Sequence, residues 1–188
     1  SKPEEDAALA AALGPDIVLA GDETLVTSAQ ADQFIRVLPL QIFSDAGAQS
    51  GIASVDLGHD GVLRTMPNYF DGFAATLASV ASLAVEMPPE GNRIQTFGGA
   101  RTYPTVSYYQ ALDPEHFLPP VFFRDKVVIV GLSLQNAPTL AAGGTDAFAT
   151  SDTIHTGKLT AGAEVHATIF DNLRLGRSIG IGSATLTG

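Results

Sequence analysis

The sequence predicts an α/β fold: a mixed, largely parallel sheet flanked by helices, with one β-hairpin at about 52–70. Three observations carry this. Two short apolar runs, Ile17–Ala20 and Val127–Val130, have the pattern of strands buried on both faces. Stretches with helical spacing occupy 3–13, 73–87 and 162–175. The segment Gly51–Pro67, GIASVDLGHDGVLRTMP, alternates from Ile52 to Asp56 and again from Val62 to Met66, around Gly58-His59-Asp60-Gly61. Asp-Gly between two alternating runs marks a hairpin, because tight hairpin turns need positive φ.

The first helix, Pro3–Leu13, opens with Pro and acidic residues, which suit the positive end of a helix dipole. Gly14-Pro15 stops it, and Asp16–Ala20 follows as a strand. Gly21–Gln30 is polar and reads as loop. Gln33–Leu38 is extended up to the break at Pro39, and Leu40–Ala46 forms a short helix ending at Gly47. The hairpin comes next, its second strand continuing through Asn68–Phe70.

Phe73–Met87 then reads as a buried helix carrying Leu77, Val80, Ala81 and Ala84 on one face. Pro88-Pro89 and Gly91-Asn92 mark a turn, Ile94–Phe97 a short strand, and Gly98-Gly99 another turn. Tyr103–Ser107 is extended, and Tyr108–Leu112 makes one or two helical turns. Val127–Val130, bounded by charges before and Gly131 after, is the strongest strand of the chain. Ser133–Thr160 is rich in Gly, Ala and Thr without a period, and a loop of that length is functional or mobile in a compact domain. Gly162–Leu175 is the last helix, with Val165, Ile169, Phe170 and Leu173 on one face and Gly176 as its C-cap. Ile179–Gly188 is a tail. No internal repeat or domain boundary is visible.

Composition narrows the function. The 188 residues are 45% apolar and 16% charged, which suits one folded domain with a real core. A net charge of −10 argues against nucleic acid and against anionic lipid headgroups. Without cysteine there is no disulfide, thiolate metal site or cysteine nucleophile. No run reaches the roughly 20 apolar residues that span a bilayer. The nearest, Phe73–Met87, is interrupted by Thr76, Ser79, Ser82 and Glu86. The opening Ser-Lys-Pro-Glu-Glu-Asp has no signal-peptide character, and the chain reads as part of a larger protein.

Each polar constellation has two readings. Asp56, His59, Asp60 and Arg64 gather at the hairpin, either to bind a small ligand or cation or as turn chemistry, with Arg64 pairing a carboxylate across the turn. Local geometry alone suffices for the second. Glu164 and His166 lie two positions apart, about 200° around a helix, so they are no joint metal pair. His166 shares a face with Phe170 and Leu173 and points toward the core, with a ligand contact or pH sensing as the alternative. Glu164 has a dipole reason to sit near a helix start.

Gly131-Leu-Ser133 sits at a strand end where α/β proteins bind ligands, but neither phosphate-binding glycine motif is present, so no nucleotide is expected. The nucleophile elbow fails because its fifth position is Gln135. A triad of Ser133, Asp152 and His155 stays open without support from spacing. No metal motif occurs, and neither metal nor cofactor is expected. Tyr103, Tyr108 and Tyr109 either line a pocket or pack in the core.

Gly51, Asp56, Asp60, Gly61, Arg64 and Pro67 together resemble the central signature of the type-two CHASE domain, the cyclase- and histidine-kinase-associated extracellular sensory domain. The likeness extends over most of the chain. Asp6, Leu9, Ala10 and Leu13 resemble the family's first helix here, and Ile17–Ala20 its following strand. Leu77, Ser82, Leu83 and Ala84 are similar to its Ser-Leu-Ala helix. Phe123, Lys126, Val127–Val130 and Gly131 resemble its F-x-x-K-hydrophobic-G strand, and Gly162, Glu164, His166 and Ala167 its G-x-E-x-H-A helix opening. Two departures stand out. The Thr-Pro usual after the glycine strand is missing between Thr145-Asp146 and Thr150, and the family's N-terminal strand-helix-strand portion has no counterpart.

The resemblance implies a sensor domain over 1–176 and a tail over 177–188 leading toward a membrane segment. It places the domain outside the cytoplasm of a bacterial inner-membrane protein, with contact to the membrane only through helices this chain does not carry. The output would be an adenylate or guanylate cyclase, or a histidine or Ser/Thr kinase. The signal is an unidentified small molecule or protein. A homodimer is expected, and the N-terminal portion would be a possible separate chain. Ligand-binding candidates are Asp60, Arg64, Tyr108, Ser133, Asp146 and His166, with no catalytic residue in the domain. The competing functions are a hydrolase using Ser133 or the Asp56/Asp60 pair, and a dimerisation domain without ligand.

Overall fold

The computed structural model describes residues 2–27, 31–133 and 146–181. The chain divides into two compact units, 1–95 with 168–188, and 96–167. The sequence carries no sign of this division, because no linker composition marks it.

The first unit opens with α1 (Pro3–Ala10), started by its proline and by Glu4, Glu5 and Asp6 in the first turn. Strand β1 (Val18–Thr27) runs past Gly21 through the stretch expected to be loop. It pairs antiparallel with β2 (Asp32–Val37), from Asp22↔Val37 to Thr27↔Asp32. The polar residues that suggested a loop are the outer half of a two-stranded ribbon. Helix α2 (Gln41–Asp45) forms where expected, and Gly47 follows it at φ 101.

Next comes β3 (Gln49–Ile52), which lies parallel to Val18–Gly21 and gives the sheet order β2-β1-β3. This corrects the hairpin expected at 52–70. Gly51 and Ile52 take β1 as partner, so no ladder forms between 52–56 and 62–66. Only the turn and one bridge remain: Gly61 has φ 72, the Gly58 N–H donates to the Val62 carbonyl at 3.0 Å, and Leu57 faces Leu63. The second arm holds only β4 (Val62–Leu63) and does not continue through 68–70.

Helix α3 (Phe73–Val80) packs on β1 and β3 with Ala74, Leu77 and Ala78 buried, the i, i+3, i+4 stripe of a core-facing helix. It begins so close to β3 that a Cβ on Gly51 would lie 2.6 Å from Phe73 Cα. It stops at Val80 rather than Met87, with Ser82 at φ 57. No strand forms at 94–97; Arg93 instead bridges Thr65 and Ile179. The expected tail is therefore tied at Ile179, whose N–H and carbonyl each bond Arg93 at 2.8 Å.

The second unit has shorter elements. Helix α4 (Tyr108–Leu112) is closed at its start by the Ser107 N–H donating to Gln110 Oε1 at 2.9 Å. Helix α5 (Pro114–Phe117) follows, with Tyr109 edge-on to Phe117 at 5.4 Å. The strand expected at Val127–Val130 is absent: residues 127–133 have no regular structure, and Val130 is 76% exposed. An apolar run states a preference for burial, not that a partner strand exists.

Within the expected loop 133–160, β5 (Ala147–Thr150), α6 (Thr153–Thr156) and the start of β6 (Thr160–Ala161) appear, β5 and β6 pairing antiparallel; 134–145 lie outside the described residues. Helix α7 (Gly162–Leu175) starts in this unit, and its residues from 168 belong to the first. It ends as expected at Gly176, φ 61. The Arg177 N–H bonds the Asn172 carbonyl at 3.0 Å and the Gly176 N–H that of Leu173 at 3.3 Å, a Schellman closure.

The α/β class holds, with mixed sheet pairing that is less parallel than expected: β1–β3 is parallel, while β1–β2 and β5–β6 are antiparallel. Among the described residues no helix is long and apolar enough to cross a membrane.

Candidate functional site

In the first unit, polar side chains collect just beyond the carboxyl ends of the parallel segments of β1 and β3, a place where open α/β sheets bind ligands. Asp22 and Glu23 follow the segment of β1 paired with β3, and Ser54 follows β3 itself. The Ser54 hydroxyl donates to Asp22 Oδ1 at 2.6 Å and accepts from the Glu23 N–H at 2.7 Å, while the Thr24 hydroxyl donates to Asp22 Oδ2 at 2.6 Å. The Ser54 and then the Thr24 hydrogen bond hold the Asp22 carboxyl below its ordinary pKa.

Arg36 reaches in from β2. Its Nε donates to Glu23 Oε2 and its Nη1 to Asp71 Oδ2 at 2.7 Å. The other oxygen of Asp71, Oδ1, is buried without a hydrogen-bond partner among the described residues. Tyr69 is close by: burial pushes its phenol pKa up, and the Asp56 carboxylate adds to the shift. The cluster therefore offers a cation fixed by two carboxylates, a buried acceptor and a tyrosine, carried on β1 and β2 and on the irregular segments that follow β3 and precede α3.

None of Asp22, Glu23, Arg36, Ser54 or Asp71 is among the residues expected to bind a ligand. The available signal was Thr24-Leu-Val-Thr27, whose β-branched content marks a strand that would have carried Asp22 and Glu23 into the sheet.

Two of the expected ligand residues, Asp60 and Arg64, lie in the first unit and bind each other. Arg64 Nη1 and Nη2 donate to Asp60 Oδ1 and Oδ2 at 2.9 and 2.8 Å, and the Val62 N–H donates to Oδ1 at 3.2 Å. Arg64, and then the Val62 N–H, hold the Asp60 carboxyl at a pKa of about 2. His59 on the same turn and Asp56 just before it are exposed.

The other four lie in the second unit. Tyr108 is exposed on α4, and Ser133 is exposed in the irregular stretch at the edge of the described residues. His166 is half-buried on α7, whose buried side chains include Val165, Ile169, Phe170, Asn172 and Leu173. Asp146 sits against the start of that helix: the Gly162 N–H donates to the Asp146 carbonyl at 3.0 Å, and the Asp146 carboxylate fills the space a Cβ on Gly162 would need.

The best-held carboxylate of this unit is Glu164, where the sequence suggested only a dipole contact. Its Oε2 accepts the Arg101 N–H at 2.8 Å, and its Oε1 accepts the N–H of Thr102 at 2.7 Å and of Tyr103 at 3.4 Å. Three successive main-chain donors converge on one carboxylate, with Arg101 at φ 72 shaping the concavity.

Asp152 and His155, the other members of the open triad, are the residue before α6 and a member of it. Among the described residues no group of three or more His, Asp or Glu side chains is placed to hold a metal ion.

Comparison with protein families matches residues 1–186 to the model of the CHASE2 domain. No curated protein and no solved structure matches the chain.

Proposed function

From the premise that this chain belongs to the CHASE2 domain family, a family of sensory, non-catalytic domains of signalling proteins, we propose that it is the extracytoplasmic signal-sensing module of a membrane-bound bacterial transduction protein. The output would be an adenylate or guanylate cyclase, ahead of a histidine or Ser/Thr kinase. The observation that carries this reading is the family match over 1–186, nearly the whole chain.

The signal would be a small molecule engaging the Asp22–Ser54 and Glu23–Arg36–Asp71 cluster. In support, Arg36 ties the β1–β2 ribbon to the segment before α3, so a ligand that competes for Asp71 changes the ribbon's attachment. A ligand shifts such an equilibrium only by its differential affinity for the two arrangements. Asp60 and Arg64 serve as a brace in this scheme. The protein would act as a homodimer.

The test is a thermal-shift screen of the purified chain against millimolar amines, carboxylates, sugars and nucleosides, repeated with Arg36→Ala and Ser54→Ala. A compound that raises the melting temperature of the parent and not of either variant supports the reading. A hit unaffected by both variants removes the cluster from it. Alkaline-phosphatase fusions at the end of the domain in the intact gene test the location, and activity there is the expected result.

A further inference from the structure

The β2 strand is the terminal strand of the order β2-β1-β3, so one of its edges has no neighbouring strand among the described residues. All six of its residues are exposed, including Phe34 at 71% and Val37 at 62%. Natural edge strands are protected by charged side chains, lysine above all, by proline or by a bulge. Asp32-Gln-Phe-Ile-Arg-Val37 has neither lysine nor proline, and its two charges, Asp32 and Arg36, are of opposite sign and so do not repel a second copy paired antiparallel. Its pairing with β1 continues unbroken through six residue pairs, so no bulge turns the edge away.

The sequence of this edge is complementary to itself. An antiparallel two-fold pairing centred on Phe34 sets Asp32 opposite Arg36 of a second copy, twice, and Phe34 opposite its own equivalent. The register with β1 places Leu25 beside Phe34, Glu23 beside Arg36 and Thr27 beside Asp32. Across a four-stranded sheet this makes a central apolar row, Leu25–Phe34–Phe34–Leu25. On either side runs a row of alternating charge, Glu23, Arg36 and then Asp32 of the second copy. Arg36 uses Nε and Nη1 within its own chain, and a guanidinium fork carries further N–H donors.

We infer that β2 is the dimer interface of this protein, pairing antiparallel with β2 of a second copy about a two-fold axis at Phe34. The inference deepens the proposed sensor, on which it rests only in taking a second copy as the occupant. It gives that dimer a mechanism. Arg36 belongs both to the interface row and to the Asp71 attachment, so a ligand acting at Asp71 acts on the dimer.

Cysteine cross-linking tests this in the 188-residue chain, which has no native cysteine to confuse the result. Phe34→Cys, on the axis, is expected to form a disulfide dimer under mild oxidation several-fold faster than Ile35→Cys, which would face Gln33 of the second copy on the other side of the sheet. Sedimentation is expected to show a dimer whose Kd rises about tenfold with Asp32→Arg, which sets like charges opposite each other at two places. Circular dichroism checks that each variant is folded.

A chain that stays monomeric at high micromolar concentration overturns the inference and leaves the ligand-sensing part of the proposed function standing. A dimer in which Phe34→Cys cross-links no faster than Ile35→Cys, or in which Asp32→Arg changes nothing, overturns this interface alone.

Discussion

In the first unit carboxylates are held by side chains on the sheet or just beyond its strand ends; in the second the best-held carboxylate, Glu164, is held by main-chain N–H groups of an irregular loop. The first unit also carries most of the buried apolar residues, among them Ile52, Ala78 and Ile169, while among the described residues of the second only Val165 is one. The difference has a physical origin. A sheet covered by a helix fixes its side chains by packing, so polar groups can be aimed from it. A unit with short elements and little buried apolar surface must fix its loops through individual hydrogen bonds. The first kind of order should fail to crowding and to lost burial, the second to loss of one acceptor.

The largest effect is expected where the first unit is tightest. Gly51→Val puts a side chain against the Phe73 main chain, where even a Cβ would lie 2.6 Å from Cα and 3.0 Å from N. Backbone cannot give way as a flexible side chain can, so the cost should reach about 3 kcal/mol or more. Urea unfolding measures it. A loss below about 1 kcal/mol would show that α3 slides on β3, and would remove the tight packing on which the comparison rests.

Asn172 sharpens the contrast from inside the same unit. It is 1% exposed, accepts the Gln95 N–H at 2.9 Å, and donates to the carbonyls of Gln95 and Thr168, each at 2.8 Å. Asn172→Leu keeps the branched four-atom side chain but strands the Gln95 main chain, so a loss of about 2 kcal/mol is expected. An unchanged melting curve would mean that water replaces the amide and that burial alone orders this unit.

In the second unit, Glu164→Ala removes the acceptor of three N–H groups. About 1–2 kcal/mol of local stability should go with it, read as faster hydrogen exchange at Arg101, Thr102 and Tyr103. Glu164→Gln keeps one carbonyl oxygen and should lie between. Exchange that stays slow at these amides in Glu164→Ala would show that the loop is ordered by something else, and the two units would no longer differ in kind.

The same contrast explains what could be read in advance. Helices α1, α2, α4 and α7 were legible because their signals are local: a proline or acidic start, an apolar stripe, a glycine stop. The outer half of β1 was hidden because Asp22, Glu23 and Thr24 interrupt the apolar run that identified its beginning. At 52–66 the turn was legible and the pairing was not, since alternation cannot reveal that Ile52 finds Gly21 thirty-one residues back. Asp60 and Arg64 are four residues apart, and their pairing was among the expected outcomes. Glu164 and its donors are separated by 61 to 63 residues, and main-chain donors leave no mark in a sequence. Arg36 meets Asp71 across 35 residues, beyond the reach of any local pattern.

The smallest effect belongs to the surface brace of the first unit, and its pH dependence distinguishes a brace from a buried contact. Asp60 has a folded pKa of about 2 against the ordinary 3.8, because Arg64 and the Val62 N–H favour its charged form. A depressed carboxylate pKa contributes stability that is present above the ordinary value and is lost as pH falls through the folded one. Parent protein should therefore melt slightly above Asp60→Asn at neutral pH, with the gap closing between about pH 4 and pH 2. Because both groups face solvent, the gap should also shrink in high salt. Buried interactions such as Asn172 with Gln95 should show neither dependence, since an amide does not titrate. A gap that persists below pH 2 would mean that Asp60 acts through its shape in the Gly58–Gly61 turn rather than its charge. The brace would then count with the packed contacts of its unit rather than with its surface.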